Sequence, residues 1–194
     1  GDLSYSFNAN LTTIHNEVIE SPYTAGRQSG GFPGSNFFLP ITHLEAGYPM
    51  WYMRTFIHKD IDPATGLPVY YSGEELGSDD GKDFAGSGIP DFTYGLTLRL
   101  NWKNIDFTAF GSGVHGNEQF MCIFRPDLPV ANLPEFVFTD RWTSSNSENP
   151  VYPRANSSDT RYAQSDFWIF DASYFKIKQI QLGYTFTSAL LNKV

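Results

Sequence analysis

Histidine and cysteine, the side chains that most often bind transition metals, are few in this sequence. His15, His43, His58 and His115 show no metal-type spacing among themselves. Cys122 is the one cysteine, which excludes a disulfide within the chain and a multi-thiolate site. We therefore predict that the chain has no metal centre and needs no cofactor.

Acidic residues occur in two short runs that could supply oxygen ligands to a cation. A calcium loop of the EF-hand type that starts at Asp60 would need glycine at position 65 and glutamate at position 71. The sequence has Thr65 and Tyr71 there, so this match fails. The acidic loop 79–83 remains a weak oxygen-ligand cluster, and a solvated acidic loop is the alternative interpretation.

The sequence contains no recognisable catalytic motif. Paired carboxylates for glycoside hydrolysis are defined by their separation in space, and nothing in the sequence singles out a pair. The Gly-Ser-Gly runs at 86–88 and 111–113 lack the lysine and the helix of a phosphate-binding loop. The sequence therefore predicts that the protein is not an enzyme.

The longest connection of the chain carries aromatic planes and guanidinium groups, which stack on sugar rings or bind carboxylates. These candidate ligand or partner contacts are Arg141, Trp142, Tyr152, Arg154 and Trp168. The alternative is that the same side chains pack this loop against its neighbours or against a partner protein. The residues by themselves leave both alternatives open.

Composition favours a β-rich protein of one large domain or two small ones. Of 194 residues, 16% are aromatic and 18% are charged, with 17 Gly and 12 Pro. This composition excludes a disordered acidic tail and a helical bundle. The net charge of −8 argues against a nucleic-acid partner, because phosphates require a basic surface.

Apolar and polar residues alternate with a period of two in three segments. The first segment covers residues 3–12, and the second covers Phe92 to Trp102, a turn at 103–104 and a returning strand from Ile105. The third runs from residue 174 to residue 186, and its apolar phase shifts near Gln179, which predicts a β-bulge there. Two weaker strands are predicted over 38–46 and 51–57.

Short and long connections alternate along the chain. The turns at 47–50 and 103–104 are short, whereas 14–37, 59–90 and 115–172 far exceed the roughly 2–6 residues of usual connections. Outer-membrane barrels have short turns on one side and long loops on the other. The strand over 92–102 has the length of roughly 9–11 residues that a bilayer requires. Trp102 and Tyr184 lie near the short-turn ends, where aromatic girdles form.

Several ordered motifs resemble the C-terminal region of the SusC/RagA-type TonB-dependent outer-membrane transporters of Bacteroidetes. The resemblance extends over most of the chain. The motifs are GYPM at 47–50, DPATG at 62–66, DDGKD at 79–83, GIPDFTYGL at 88–96, RWT at 141–143 with YPR at 152–154, SDFWI at 165–169, SYFKIK at 173–178 and LGYTF at 182–186.

This resemblance implies an all-β fold that forms part of a large antiparallel transmembrane β-barrel. About six strands of a plugged barrel of 22 strands would be present, with long extracellular loops. The function it implies is TonB-dependent import of a bulky nutrient, either a glycan or a peptide, across the outer membrane. The implied partners are a SusD-like surface lipoprotein, TonB-ExbB-ExbD through an N-terminal part, the rest of the same barrel and outer-membrane lipid.

The family's plug domain, its TonB-contacting segment and its terminal strand do not match any part of this sequence. We therefore expect residues 1–194 to be the C-terminal portion of a longer transporter barrel. Two other classes stay open at this point: a soluble secreted β-sandwich that binds carbohydrate, and a secreted hydrolase fragment. The pattern of one apolar and one polar face is identical in a soluble sheet and in a membrane barrel.

Overall fold

The computed structural model describes residues 2–21, 27–31, 40–78, 80–123, 133–155 and 160–186. The chain divides into two compact units. The first unit, the long-strand sheet, contains the described residues of Gly1–His15, Ile89–Asn117 and Ala172–Val194. The second unit contains those of Asn16–Gly88 and Glu118–Asp171. Both units consist mainly of antiparallel β-structure, which confirms the all-β fold class.

The described secondary structure comprises strands, two short α-helices and two 3-10 turns. In chain order the strands are β1 (Leu3–Thr13), β2 (Arg27–Gly31), β3 (Pro40–Glu45), β4 (Tyr52–Phe56), β5 (His58–Ile61), β6 (Pro68–Tyr70), β7 (Lys82–Gly86), β8 (Phe92–Trp102), β9 (Ile105–His115), β10 (Glu118–Phe120), β11 (Ile169–Asp171) and β12 (Tyr174–Tyr184). The helices are α1 (Gly73–Leu76) and α2 (Glu135–Thr139), and the 3-10 turns are Tyr162–Gln164 and Asp166–Trp168.

The first unit is a four-stranded antiparallel sheet in the order β1-β8-β9-β12. Each strand has 11 residues. Such a strand measures about 33 Å and, when tilted by about 40°, covers about 25 Å, which is the height of the apolar band of outer-membrane barrels. The predicted hairpin is confirmed: Trp102 faces Ile105 across the turn, and Lys103 has a φ of 54°.

Strand register places the apolar side chains of all four strands on one face of this sheet. Phe7 lies opposite Leu98, Leu98 opposite Ala109, and Ala109 opposite Ile180. The predicted bulge near Gln179 is confirmed, because the pairing of β12 with β9 shifts register between Ile177 and Gln179. The extra residue keeps the apolar side chains of β12 on the same face before and after the shift.

The apolar face of the long-strand sheet is not covered by other parts of the described chain. On β1, Leu3 is 60%, Tyr5 76% and Phe7 62% exposed. Of the described residues in this unit, only three glycines of β8 and β9 fall in the buried class. Leu98 is 36% exposed and Leu96 and Leu100 are partly exposed, so the three side chains are not enclosed in a protein core.

A glycine on β9 allows two aromatic rings to meet across the sheet. Gly113 lies between Tyr94 on β8 and Phe175 on β12. The two rings stack above it with centroids 5.8 Å apart and planes inclined by 7°. A Cβ atom at position 113 would lie 2.6 Å from the Tyr94 ring and would also collide with the Tyr174 carbonyl oxygen. The stack across three strands therefore depends on the missing side chain.

The second unit contains the buried core of the described chain. Its largest sheet has the order β2-β3-β4-β7, and β5-β6 and β10-β11 form two smaller ones. The core joins residues from distant parts of the sequence. Its members are Ile41, Met53, Ile61, Phe120, Val137, Tyr152, Tyr162, Ala163, Phe167 and Trp168. The connections that the sequence indicates as long loops therefore form a folded unit with its own core.

The two weaker predicted strands form, but not where the sequence analysis expects them. The strands predicted over 38–46 and 51–57 correspond to β3 and β4, which pair in the second unit instead of extending the long-strand sheet. That sheet therefore has four described strands rather than about six. β4 is 5 residues long and is buried on both faces, so it is too short to cross a bilayer. Residues 38–39 of the first of these predicted strands lie outside the described residues.

No helix in the described ranges is long and apolar enough to span a membrane.

The stack above Gly113 gives a first testable prediction. Gly113→Ala should lower the free energy of unfolding by about 1–3 kcal/mol, because an overpacked side chain must displace Tyr94 or the β12 backbone. The measurement is a denaturant titration followed by circular dichroism. Gly88→Ala is the matched control, because its Cβ would be 3.9 Å from its nearest neighbour, an ordinary contact. Equal stability of the two variants would contradict the proposed role of Gly113.

Candidate functional site

Two of the five candidate contact residues, Trp168 and Tyr152, lie in the core of the second unit. Trp168 is 1% exposed, and its indole Nε1–H donates a hydrogen bond of 2.7 Å to the carbonyl oxygen of Tyr162. The Tyr152 ring stacks on the Trp168 ring with centroids 6.0 Å apart. Both aromatic side chains are therefore in contact with the protein itself, as the packing alternative expects.

Arg141 and Trp142 also contact neighbouring parts of their own unit. The Trp142 indole N–H donates to the Pro63 carbonyl oxygen at 3.0 Å. The indole ring covers Gly66, where a side chain would collide with it. The Arg141 guanidinium carbon lies 3.6 Å from the centroid of the Phe138 ring, and its N–H donates to the Phe138 carbonyl oxygen.

Arg154 differs from the other four because its side chain is exposed. Its backbone N–H donates to the Gly66 carbonyl oxygen at 2.9 Å, close to the residue that Trp142 covers. The structure thus brings the five residues into one region of the second unit, with three aromatic side chains used in packing. A ligand or partner contact at these residues stays a prediction.

The acidic loop 79–83 is described except for Asp79. Asp80 accepts hydrogen bonds from Arg54 and Ser78, and Asp83 accepts one from the backbone N–H of Phe84. Within the part of the chain that the structure describes, no group of three or more His, Cys, Asp or Glu side chains is arranged to hold a metal ion. The carboxylate of Asp80 therefore forms an ion pair with the buried side chain of Arg54.

A polar pocket of about 300 Å³ lies over one face of the sheet β2-β3-β4-β7, and we call it the sheet-face pocket. Pairing across the strands explains which side chains meet there. Arg27 lies opposite Glu45, and Arg54 lies opposite Phe84. The residues that line it are Arg27, Glu45, Tyr48, Tyr52, Arg54, Leu76, Gly77, Ser78, Lys82, Asp83 and Phe84.

Three aromatic rings form one wall of the sheet-face pocket. Tyr48 stacks on Tyr52 with centroids 4.5 Å apart, and Phe84 lies 5.7 Å from Tyr52, with all three rings inclined by 17–25° to one another. Tyr52 is buried, whereas Phe84 is 43% exposed and Tyr48 is partly exposed. The wall thus presents two accessible rings that a buried third ring holds in place.

A carboxylate joins the aromatic wall to a cation. Glu45 Oε2 accepts a hydrogen bond of 2.9 Å from Arg27 Nε and one of 2.7 Å from the Tyr52 hydroxyl. Partial burial raises the pKa of Glu45, but these two donors outweigh it and lower the pKa below its usual value. Burial and the contact with Glu45 raise the pKa of Tyr52, so its hydroxyl stays protonated and donates.

A buried arginine forms the base of the pocket. The Arg54 side chain is 5% exposed, and its Nη1 donates to both carboxylate oxygens of Asp80 at 2.7 Å while Nη2 donates to Ser78 Oγ at 2.9 Å. Burial opposes ionisation of Asp80, but the hydrogen bond from Arg54 and others outweigh it and lower its pKa to about 2. These charge-assisted hydrogen bonds from Arg54 hold Ser78 and Asp80 against the sheet.

Two further titratable groups lie on the same sheet. Burial, followed by the repulsion of Arg54 and Lys82, lowers the pKa of His43 and favours its neutral form. Burial also lowers the pKa of Lys82, whose Nζ donates to Gln164 Oε1 at 2.8 Å and lies 4.9 Å from the centre of the Phe56 ring. The polar lining of the pocket is therefore engaged in contacts within its own unit.

Sequence reasoning missed this pocket for an identifiable reason. The sequence predicts strands over residues 38–46 and 51–57, but it assigns no partner to Glu45 or Arg54. Arg54 in a short strand of mostly apolar residues, together with the acidic run at 79–83, is the signal that could have indicated an ion pair with a buried arginine.

Comparison with known proteins supports the fold and the motifs. No protein-family model matches the chain. TonB-dependent receptor P26 of Formosa agariphila is 28% identical over 117 residues, which is 58% of this chain and 12% of the receptor. TonB-dependent receptor P3 of the same organism is 26% identical over 135 residues, which is 69% of this chain and 13% of that receptor. The chain spans about an eighth of the length of these relatives.

Solved structures of the RagAB peptide importer share the fold. In the "open-open" state the TM-score is 0.71 at 18% identity, over 98% of this chain and 21% of that chain. For the RagAB peptide transporter the TM-score is 0.73 at 20% identity, over 97% of this chain and 21% of that chain.

The chain is therefore similar in sequence to part of two TonB-dependent receptors, and its fold is similar to part of the RagAB peptide importer. These similarities confirm the resemblance to the SusC/RagA-type transporters that the sequence motifs indicate.

The pair of Arg54 and Asp80 gives a second prediction. Asp80→Asn should lower the stability of the second unit by about 1–3 kcal/mol, because Arg54 stays buried and charged without its carboxylate. Because the pKa of Asp80 is lowered in the folded protein, the contribution is present above the usual value of 3.8 and is lost as the pH falls towards about 2. Denaturant unfolding followed by tryptophan fluorescence between pH 7 and pH 2 measures both effects.

Glu75→Gln is the control for this experiment. Glu75 pairs with Lys59, but the two side chains are 44% and 49% exposed, so the loss should be small. A larger loss for Glu75→Gln than for Asp80→Asn, or a variant Asp80→Asn that keeps the acid sensitivity of the parent, would contradict the assignment.

Proposed function

We propose that the chain forms part of the barrel wall and the extracellular loops of a TonB-dependent transporter that imports a bulky nutrient across the outer membrane. The single observation that carries the proposal is the long-strand sheet. Its strands have bilayer length, and its uncovered apolar face continues across all four of them. Since the chain covers about an eighth of its relatives, the activity of the whole protein is an inference.

The arrangement of the connections at the two ends of the long-strand sheet supports the assignment of the long connections as extracellular loops. The hairpin turn at 103–104 joins β8 and β9 at one end of the sheet. The two long excursions, from β1 to β8 and from β9 to β12, both leave and return at the opposite end. In outer-membrane barrels the short turns are periplasmic and the long loops are extracellular. The two long connections would then be extracellular loops.

The edges of the long-strand sheet indicate the first of its expected partners. β1 and β12 each have one edge that pairs with no other described strand. In lipid, an unpaired backbone group costs several kcal/mol, so both edges need neighbouring strands. We infer that these are strands of the same barrel, and that residues 1–194 are its C-terminal portion. The apolar face would contact outer-membrane lipid, with Trp102 and Tyr184 at the periplasmic girdle.

The remaining partners follow from the family resemblance. A SusD-like surface lipoprotein would cover the extracellular opening and capture cargo together with the second unit. TonB-ExbB-ExbD would supply energy through an N-terminal part of the protein. No bond of the cargo is made or broken in such a cycle, so the protein would act as a transporter and not as an enzyme. The similar RagAB is a peptide importer, and a glycan is the other cargo class that the motifs imply.

A pair of substitutions on neighbouring residues of β8 tests the orientation of the sheet. Leu98→Arg should strongly reduce the amount of folded protein in the outer membrane, because arginine at mid-depth on the lipid face costs about 2–4 kcal/mol. Thr97→Arg should be tolerated, because Thr97 lies on the opposite, polar face. The measurement is the yield of protease-resistant, heat-modifiable protein in outer-membrane fractions. Equal yields for the two variants would contradict this orientation.

Solubility separates the transporter from the soluble β-sandwich that the sequence leaves open. The protein should require detergent, because the apolar side chains of the long-strand sheet have no covering layer. Size-exclusion chromatography with and without detergent makes the comparison. A monomer in detergent-free buffer would favour the soluble carbohydrate-binding class instead.

A further inference from the structure

A groove on the apolar face of the long-strand sheet ends at a single histidine. The groove, which we call the β1–β8 groove, has a volume of about 450 Å³ and is lined by residues 9–11 of β1, by Phe92, Tyr94 and Leu96 of β8, and by His115 of β9. We propose that it holds one acyl chain of an ester-linked membrane lipid, with the ester carbonyl at His115. The inference rests on the proposed membrane position of the sheet, since it names one lipid contact of that surface.

The groove exists because one side chain is small and two aromatic rings turn away from it. Ala9 on β1 contributes only a methyl group. The Tyr94 ring lies above Gly113, where it stacks on a ring of β12. The Phe92 ring lies 5.0 Å from the His115 ring on β9. Both rings of β8 therefore extend towards β9, and the space above Ala9 stays open.

The lining of the groove suits a hydrocarbon chain. Most of the surface that it exposes is apolar. From Phe92 to Leu96 the strand rises by about 13 Å, so the groove can follow part of an extended chain. Lipid tails are as apolar as leucine, so shape rather than hydrophobicity decides which chain stays in such a groove. A chain that fills it regains the dispersion contacts that an unfilled hollow would lose.

His115 supplies a hydrogen-bond donor at one end of the groove. It lies opposite Phe92, at the end of the hairpin that is farthest from the turn at 103–104. The side chain is exposed, and its ring nitrogens form no hydrogen bond with any residue in the described ranges. A neutral imidazole has one N–H donor. A lipid carries its ester carbonyl where the acyl chain meets the head group, so an acceptor would reach this donor when the chain fills the groove.

The charge beside His115 favours a neutral acceptor over an anionic one. Asp91 donates its backbone N–H to the His115 carbonyl oxygen, and its carboxylate lies against Gly116, the next residue in the sequence. A phosphate or a free carboxylate at the same place would be repelled by Asp91. An ester carbonyl carries no net charge and avoids this repulsion.

The size of the groove favours a lipid over a second copy of the chain. A stable interface between proteins uses about 20–30 residues on each side. Seven residues line the groove, and they form one narrow strip along two strands and the end of a third. A single flexible chain matches such a strip without any further contact.

Native mass spectrometry of the detergent-extracted protein tests the proposal. The probes are a diacyl phosphatidylcholine and its dialkyl ether analogue of equal chain length, added together in equal amounts. The ester lipid should be retained about threefold or more over the ether lipid, because the ether lacks the carbonyl that accepts one hydrogen bond. Equal retention of the two lipids, or stronger retention of the ether, would overturn the proposal.

Two alanines on the apolar face locate the acyl chain. Ala9→Phe should lower retention of the ester lipid about tenfold, because the added ring takes the place of the chain and its dispersion contacts. Ala109→Phe is the matched control: Ala109 lies opposite Leu98 and does not line the groove, so retention should not change. Ala9→Leu adds a smaller side chain and provides the same test if Ala9→Phe gives little folded protein. Equal retention by the Ala9 and Ala109 variants would overturn the assignment.

His115→Phe separates the donor from the groove. The substitution keeps a ring beside Phe92 but removes both ring nitrogens. The variant should still retain lipid, whereas the preference for the ester over the ether should disappear. A preference equal to that of the parent protein would contradict the assigned contact of His115.

The yield of heat-modifiable protein in the outer membrane is measured for the same variants. A protein that enters the membrane normally but retains ester and ether lipid equally contradicts the groove alone. A protein that stays monomeric without detergent contradicts the transporter proposal. A dimer in detergent that Ala9→Phe dissociates would place a second copy in the groove and overturn the lipid assignment.

Discussion

The requirement that each strand keep one set of side chains on one face is the constraint on which the long-strand sheet depends. Backbone groups that cross lipid must pair within the sheet, and a slip of one residue would move every side chain of a strand to the opposite face. The bulge between Ile177 and Gln179 satisfies both demands, because it absorbs one residue and restores the pairing. Gly113 also keeps the apolar face continuous, because it leaves room for Tyr94 on β8 to stack with Phe175 on β12.

The second unit is stabilised differently: its apolar side chains are enclosed in a core, and its buried charged groups need partners of opposite charge or hydrogen bonds. Trp168, Tyr162 and Tyr152 are held together by ring contacts and an indole hydrogen bond. Arg54 is buried with a carboxylate partner, and the segment that carries this partner borders the sheet-face pocket. Stability of the core and the shape of the pocket therefore depend on the same ion pair.

Sequence reasoning could predict the long-strand sheet because alternation with a period of two is a local property. The 11-residue strands, the turn at 103–104 and the bulge near Gln179 all follow from neighbouring residues. The second unit could not be derived in this way, because its core joins Ile41 and Met53 to Tyr152 and Trp168. Their residue type identified Trp142 and Trp168 as candidate contact residues. It could not show that Trp142 covers Gly66 or that Trp168 is buried in the core.

The interleaving of the two units along the chain has a consequence for how the protein matures. The core of the second unit needs residues from before β8 and from after β9, so it cannot close until the chain has been synthesised at least as far as Trp168. Contacts of such wide separation form slowly. The β8–β9 hairpin, by contrast, needs only adjacent residues and can form early. Until that core closes, aromatic side chains such as Trp168 and Phe167, which it later buries, would be exposed to solvent.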